Sequence, residues 1–367
     1  MLMSIFDTSR NKAICVLPFV HEFVETTGKV KPCCHGDTFT GGEDKDTIKK
    51  MMLDGQKPEA CRSCYKAEQE SAWSYRLKHT NDWIKKHGSP DTDNQTLQSI
   101  DLRFDPTCNL KCKTCGPYAS TLWQKEKGIS QPKNTNTREY FLQMDKAKLK
   151  HVYLAGGEPT YIPAYFDFLA ELYKVNKECE VVINTNLKKL PEQWKSLIKK
   201  FPNLTIVCSC DATETLGSYV RYPLGWEEFE RNVEYVSEHA NFLQFNLVAS
   251  NLTSHKIHET CNWMGQYSKH INLSILKKPE VFSGQAVPTE HRHMYIDSLK
   301  QIKKFPISIY YATQFRTEVN SLLDEYANVK YDESLHKALR REIDDQDSHR
   351  HLKLIDVDPF LHSWIYN

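Results

Sequence analysis

Apolar and polar positions follow two rhythms along this chain. Short runs rich in β-branched and aliphatic residues recur at 99–104, 151–155, 180–184, 204–209, 243–249 and 271–276. Longer amphipathic stretches lie between them, at 118–127, 164–176, 192–200, 226–240 and 255–267. Strand-length runs separated by helix-length periods predict a parallel sheet with crossover helices, an α/β domain over 96–290. Ahead of it, 15–24 (CVLPFVHEFV) reads as a strand, 28–34 (GKVKPCC) as a turn into a second strand and 46–53 as a helix. The stretch 68–79 reads as an amphipathic helix whose Trp73 and Leu77, at i and i+4, pack on one face. HGSPDTDNQ at 87–95 has turn chemistry and little apolar content, which sets off residues 1–90 as a module. Past 290, helical patterns at 291–305, 318–329 and 334–346 and a docking apolar end at 351–366 make 291–367 a helical C-terminal extension. The polar run 128–137 reads as a surface loop, with a loop over the barrel mouth covering the substrate as the alternative.

Composition narrows the classes. The 367 residues, 40% hydrophobic and 26% charged, suffice for a sizeable core. A formal charge of +1 disfavours a large polyanionic partner such as nucleic acid, although a local basic groove is compatible with it. No apolar run reaches the roughly 20 residues that span a bilayer, and residues 1–12 lack a signal-peptide core. A cytoplasmic location is therefore expected, and with it a metal role rather than disulfides for the clustered members of the 12 cysteines.

The densest chemistry is DPTCNLKCKTCGP at 105–117. Cys108, Cys112 and Cys115 stand in a C-x-x-x-C-x-x-C spacing, too close for three independent core thiols. Such a loop can wrap three thiolates around one face of a cubic iron–sulfur cluster, leaving the fourth iron without a protein ligand. Zinc sites also use closely spaced thiolates. Two more motifs follow predicted strands: GGEP at 156–159 and SCDA at 209–212. Together CNLKCKTC, GGEP and SCDA resemble the radical S-adenosylmethionine (SAM) enzymes. CGPYASTLW after the cysteines, with the cysteine-rich N-terminus, is similar to members carrying a twitch or SPASM-type auxiliary-cluster module.

The resemblance implies a partial (β/α)6 TIM-like barrel with its chemistry at the C-terminal ends of the strands. It implies a 4Fe–4S cluster on Cys108, Cys112 and Cys115, with SAM chelating the open iron. An electron from that cluster would split SAM into methionine and a 5′-deoxyadenosyl radical, which takes a hydrogen from the substrate. By the same resemblance Gly156, Gly157 and Glu158 receive the amino end of SAM, Ser209 and Asp211 lie near its ribose and methionine portions, and Asn184 lines the pocket. Arg221 falls where relatives place an arginine near the SAM carboxylate, an anion that a guanidinium fork suits. The plainer readings are a turn or helix cap for Asn184 and a surface ion pair for Arg221. Asn251 and Lys277 are weaker candidates for the same pocket. Thr114 departs from the family pattern, where many relatives have an aromatic adenine contact. Cys179, Cys208, Cys210 and Cys261 read as buried inert thiols. The histidine pairs 291/293 and 349/351 do not share a helical face and read as solvated or packing residues.

In the N-terminal module, Cys61 and Cys64 form a C-x-x-C knuckle. Cys15 and one of the adjacent Cys33 and Cys34 complete four thiols. Neighbours in an extended segment point opposite ways, so one of the pair suffices, and Cys33 is preferred. A structural zinc knuckle is the plain reading of this spacing; the resemblance implies an auxiliary 4Fe–4S cluster instead. In most relatives that module follows the barrel, whereas here it precedes it. The resulting expectation is a radical SAM enzyme modifying a peptide or protein side chain, reduced by a partner such as flavodoxin or ferredoxin. Radical modification of a nucleotide, nucleic acid or small metabolite is the second reading, and a zinc-stabilised non-catalytic binding protein the third.

Overall fold

Three of the eight described strands, His151–Leu154, Glu180–Thr185 and Phe242–Ala249, bury alternate side chains and leave the others half-covered. In the computed structural model, which describes residues 5–35, 43–70, 73–93, 96–129, 139 and 141–367, this alternation is strict in the strand Phe242–Ala249. Leu243, Phe245, Leu247 and Ala249 are sealed, while Phe242, Gln244, Asn246 and Val248 are half-buried. A period of two places successive side chains on opposite faces, so one face of the sheet is apolar and packed and the other mixed.

Eight strands are described: β1 (His21–Val24), β2 (Val30–Lys31), β3 (Ser99–Leu102), β4 (His151–Leu154), β5 (Glu180–Thr185), β6 (Leu204–Ser209), β7 (Phe242–Ala249) and β8 (Ile271–Ile275). The chain forms two compact units, one of residues 1–105, 132–156 and 167–181, the other of 106–131, 157–166 and 182–367. These follow contacts rather than the module boundaries read from the sequence, which stay a proposal.

In the first unit β1 lies antiparallel to β2 and parallel to β3, with His21 opposite Ser99, and β3 is parallel to β4, with Ser99 opposite His151. The expected strand over 15–24 is half helical: Leu17–Val20 forms a helical turn with Pro18 near its start, and only His21–Val24 is extended. Proline's fixed φ suits the first turn of a helix and removes a donor that would be unpaired there. The single helix expected over 68–79 is also corrected, to Arg62–Glu70 and Tyr75–His87. Ser74 starts the second by accepting a hydrogen bond from the Leu77 amide at 3.1 Å. Trp73 precedes that cap, so it is exposed and edge-on to Tyr75 at 4.8 Å instead of packing on a helical face. Phe6, Ile14, Val16, Phe19, Ile48 and Met52 form the core of this segment.

In the second unit β6, β7 and β8 run parallel, following β5. Helices Glu192–Ile198, Trp226–His239 and Ile257–Tyr267 fall between successive strands as the periodicity predicts. A helix at Glu214–Val220 was not anticipated. The extension folds into Arg292–Ile302, Ile309–Asn328 and Glu333–Ser348 and ends in Pro359–Tyr366, which buries Leu361, Trp364 and Ile365. This is a mixed α/β fold of partial TIM-barrel type. No described helix is long and apolar enough to cross a membrane. Most of the expected loop over 128–137 lies outside the described residues, as do 94 and 95 at the expected boundary.

Candidate metal and cofactor sites

The cysteine loop after β3 is held from three sides within the second unit. Lys111 N donates to Tyr222 O at 2.7 Å and Lys113 N to Val220 O at 2.8 Å, an antiparallel pairing that sets Cys112 across from Arg221. Trp123 Nε1 donates to Cys112 O at 2.9 Å, and Ser120 Oγ to Leu110 O at 2.5 Å. The third tie is Glu158 N to Thr107 O at 2.8 Å. A Cβ on Gly157 would stand 2.0 Å from that same carbonyl oxygen, so only glycine allows the GGEP turn to touch the loop. The close approach at Gly157 is thus made by the cysteine loop's own backbone. In the first unit, Gly156 has φ +118°, which glycine adopts without strain.

Glu158 is 1% exposed and acts as a hub. Its Oε1 accepts from Thr160 N at 3.0 Å, Thr160 Oγ1 at 2.7 Å and Thr185 Oγ1 at 2.5 Å, and its Oε2 from Asn186 N at 2.7 Å. Burial raises the carboxyl's pKa and these donors oppose it. Oε2, with a single donor, keeps a lone pair for another partner. Asn186 also donates through Nδ2 to Asn109 Oδ1 at 2.8 Å and to Cys108 Sγ at 3.8 Å, while Leu110 N donates to the same sulfur at 3.4 Å. Asn186 and Asn109 are therefore site neighbours that the sequence reading did not single out, although Asn186 stands two residues after Asn184 and Asn109 lies inside CNLKCKTC.

Of the remaining expected residues, Asp211 and Arg221 lie beside Cys112. Asp211 joins Arg221 at 2.7 Å through Oδ2 and accepts from Val248 N at 3.0 Å through Oδ1. Ser209 Oγ donates to Asn184 Oδ1 at 3.1 Å. Asn246 Oδ1 accepts from Gln244 Nε2 and from Asn272 Nδ2, both at 3.1 Å. Ser209, Asn246 and Asn272 are in register across β6, β7 and β8, so with Asn184 they make an uncharged hydrogen-bonding row on the half-covered face. The row lies one side-chain repeat, about 6.6 Å of strand, from the level of Asn186. Asn251 is instead sealed against Val281 O and Ser283 O, and Lys277 is exposed. Cys179, Cys208, Cys210 and Cys261 are all buried, as expected.

Electrostatics separates the three loop thiols. Burial drives all three pKa values up, Cys115 to about 12. At Cys112 the Arg221 and Arg350 charges oppose that rise. Arg221 Nε and Asn109 Nδ2 are buried with no hydrogen-bond partner. Three sulfurs, N–H donors on one of them and idle buried donors nearby fit an anionic, sulfur-ligated group. Among the described residues, no three His, Cys, Asp or Glu side chains close to the grouping of a single-ion site.

The first unit holds the second sulfur set. Cys15, Cys33, Cys61 and Cys64 line one small cavity with Leu17, His35, Tyr75 and Arg76. Cys34 is exposed and turned to Asp101. Arg76 forks onto Glu68 at 2.9 and 2.6 Å and also donates to Ile14 O. His35 stacks on Tyr75 with ring centroids 3.7 Å apart and meets His79 at 3.4 Å. Burial raises the pKa values of Cys15, Cys61 and Cys64 too, that of Cys15 to about 12. Four sulfurs around one cavity fit a closed centre ligated by cysteines alone.

Comparison with known proteins adds what the chain is similar to. The profile of the radical SAM superfamily matches residues 102–264. A GTP 3′,8-cyclase of Helicobacter pylori (strain ATCC 700392 / 26695) is 27% identical over 119 residues, covering 29% of this chain and 33% of its own length. Among solved structures, native anSMEcpe with bound AdoMet is similar at 16% identity and TM-score 0.43, covering 57% of this chain and 60% of that one. Streptococcus suis SuiB bound to S-adenosylmethionine aligns at 15% identity and TM-score 0.42, over 71% and 64% respectively. The same enzyme bound to precursor peptide SuiA aligns at 15% identity and TM-score 0.42, over 65% and 52%. The chain spans a third of the length of the curated relative it matches.

Proposed function

We propose, from the radical SAM superfamily profile that matches residues 102–264, that the chain is a member of that family which reductively cleaves SAM and uses the resulting radical to modify a peptide or protein side chain. The observation that carries this is the cysteine loop pinned against both the GGEP turn and the 220–222 segment. Cys108, Cys112 and Cys115 would hold a 4Fe–4S cluster. When bound, that cluster supplies one electron to SAM, which yields methionine and a 5′-deoxyadenosyl radical.

The chain's own residues hold and orient. Gly156, Gly157 and Glu158 would meet the amino end of SAM, with the free lone pair of Glu158 Oε2 as acceptor. Arg221 would offer its idle Nε–H to the carboxylate while Asp211 fixes its other end. Asn184 and Ser209 would border the same pocket. Cys15, Cys33, Cys61 and Cys64 would hold an auxiliary 4Fe–4S cluster, fully ligated and suited to electron transfer. A flavodoxin or ferredoxin would deliver the reducing electron.

The uncharged row Asn184, Ser209, Asn246 and Asn272 supports a peptide substrate. Carboxamides and hydroxyls both donate and accept, which matches amide groups, and the row has no cation for a phosphate. SuiB's structure with a precursor peptide is compatible with this reading, and the H. pylori GTP 3′,8-cyclase keeps nucleotide chemistry as the second one.

Anaerobic isolation with iron and sulfide counting tests the proposal. About eight irons per chain are expected if both sulfur sets hold 4Fe–4S clusters, together with 5′-deoxyadenosine formed from SAM under reduction. Zinc in place of iron, with SAM left intact, would replace the enzyme by a zinc-stabilised binding protein.

A further inference from the structure

Arg350 lies just past the helix Glu333–Ser348, in the C-terminal extension, yet its side chain is 0% exposed. None of its three guanidinium nitrogens has a hydrogen-bond partner. The carboxylate it faces, Glu126 Oε1, is 3.8 Å from Nη2, and Glu126 is already engaged by Lys111. A dehydrated guanidinium with idle donors is costly unless an anion compensates it. By contrast, Arg221 is neutralised by Asp211.

The surroundings point this charge at the cysteine loop. The guanidinium stands over the Trp123 ring at 5.0 Å and the Tyr222 ring at 5.5 Å. Both residues hydrogen-bond the loop, Trp123 through Cys112 O and Tyr222 through Lys111 N. Arg350 N donates to Asp347 O at 3.2 Å, and the Asp347 carboxylate accepts from Lys113 Nζ at 2.6 Å, Tyr219 Oη at 3.1 Å and Leu354 N at 3.0 Å. Lys113 lies between two of the cysteines. The C-terminal extension therefore grips the loop and delivers beside it one cation that no anion hydrogen-bonds.

We propose that Arg350 is a positioning residue that serves as the built-in counter-cation of the iron–sulfur cluster on Cys108, Cys112 and Cys115, raising that cluster's reduction potential. The proposal rests on the reading of this loop given above. Reduction adds one negative charge to the cluster, and a fixed cation in a water-poor pocket stabilises the reduced form more than the oxidised one. Arginine keeps its proton across the working pH range, so the effect is present at every pH where the protein is folded.

The test is a reductive titration of the full-length reconstituted protein, following by electron paramagnetic resonance the signal that responds to added SAM. Arg350→Gln should shift that midpoint to more negative potential, and Arg350→Lys should restore most of it. Glu126→Gln, which removes a negative charge facing the same guanidinium, should shift it the opposite way. A wild-type midpoint in Arg350→Gln at equal iron content overturns the proposal. If Arg350→Gln does not assemble a cluster, the Glu126→Gln midpoint decides: a positive shift supports the counter-cation, and no shift or a negative one overturns it. A wild-type chain that takes up no iron overturns the reading of the loop itself.

Discussion

The two sulfur sites differ in how their charge is balanced. In the N-terminal cavity four thiols meet one arginine, Arg76, whose fork is already spent on Glu68 and whose third donor goes to a backbone carbonyl. Around the central loop three thiols meet two arginines, of which Arg221 has an idle nitrogen and Arg350 has three. Cys108 also accepts from two N–H groups. A site with four sulfurs and a self-neutralised arginine suits a group that changes charge little or only passes electrons. A site with three sulfurs and nearby guanidinium donors would suit one that must accept an electron and also bind a ligand's carboxylate. Ligand count and unspent guanidinium donors together separate the two roles more clearly than cysteine spacing does.

The sharpest way to break that contrast is Cys112→Ala, which should abolish 5′-deoxyadenosine formation while leaving the N-terminal site's iron in place; retained SAM cleavage would refute the assignment of the central loop. Next, Cys61→Ala should lower iron by about four per chain if that site holds a 4Fe–4S cluster. SAM cleavage should survive this change and substrate turnover should fall. Equal loss of both activities would mean that the two sites are not separable.

Arg76→Met addresses the self-neutralised arginine. It leaves Glu68 without its partner near the cavity, and should destabilise the first unit by about 3–5 kcal/mol, measured as denaturant-induced unfolding. A change under about 1 kcal/mol would show that the pair behaves as an exposed one.

The smallest effect is a pH dependence. Burial is the first cause that lowers His79 to about 3 and His151 to about 4, below the ordinary 6.5. The folded state therefore binds fewer protons than the unfolded one as pH falls from 6.5 towards 4. The stability these histidines contribute is present above pH 6.5 and lost below it, at roughly 1 kcal/mol each by pH 5 for half-buried, partly screened groups. Thermal unfolding at pH 7 and pH 5 measures this, and His79→Gln should flatten the slope. An unchanged slope would mean that His79 stays solvated.

Much of the central part was legible because its signals are local. The strand runs, the crossover helices and the cysteine, GGEP and SCDA motifs all depend on short-range periodicity or spacing. The N-terminal part was less legible. Pro18 turned a strand-like apolar run into a helical turn, and the Ser74 cap divided one amphipathic stretch into two helices. In both cases a capping or φ constraint overrode the hydrophobic pattern. The choice between Cys33 and Cys34 rested on strand geometry alone; in the folded chain it is Cys33 that lines the cavity.

By itself the amino-acid sequence determined the class of fold, the likeness to a radical SAM domain and the order of the sulfur motifs, because each is written in residues within a few positions of one another. Only the tertiary structure decided that Gly157 admits the cysteine loop, that Asn186 touches Cys108, and that Arg350 from the C-terminal extension is buried beside Cys112. Those facts depend on which distant segments pack together and on which charges that packing strips of water, and neither quantity has a period or a spacing in the chain.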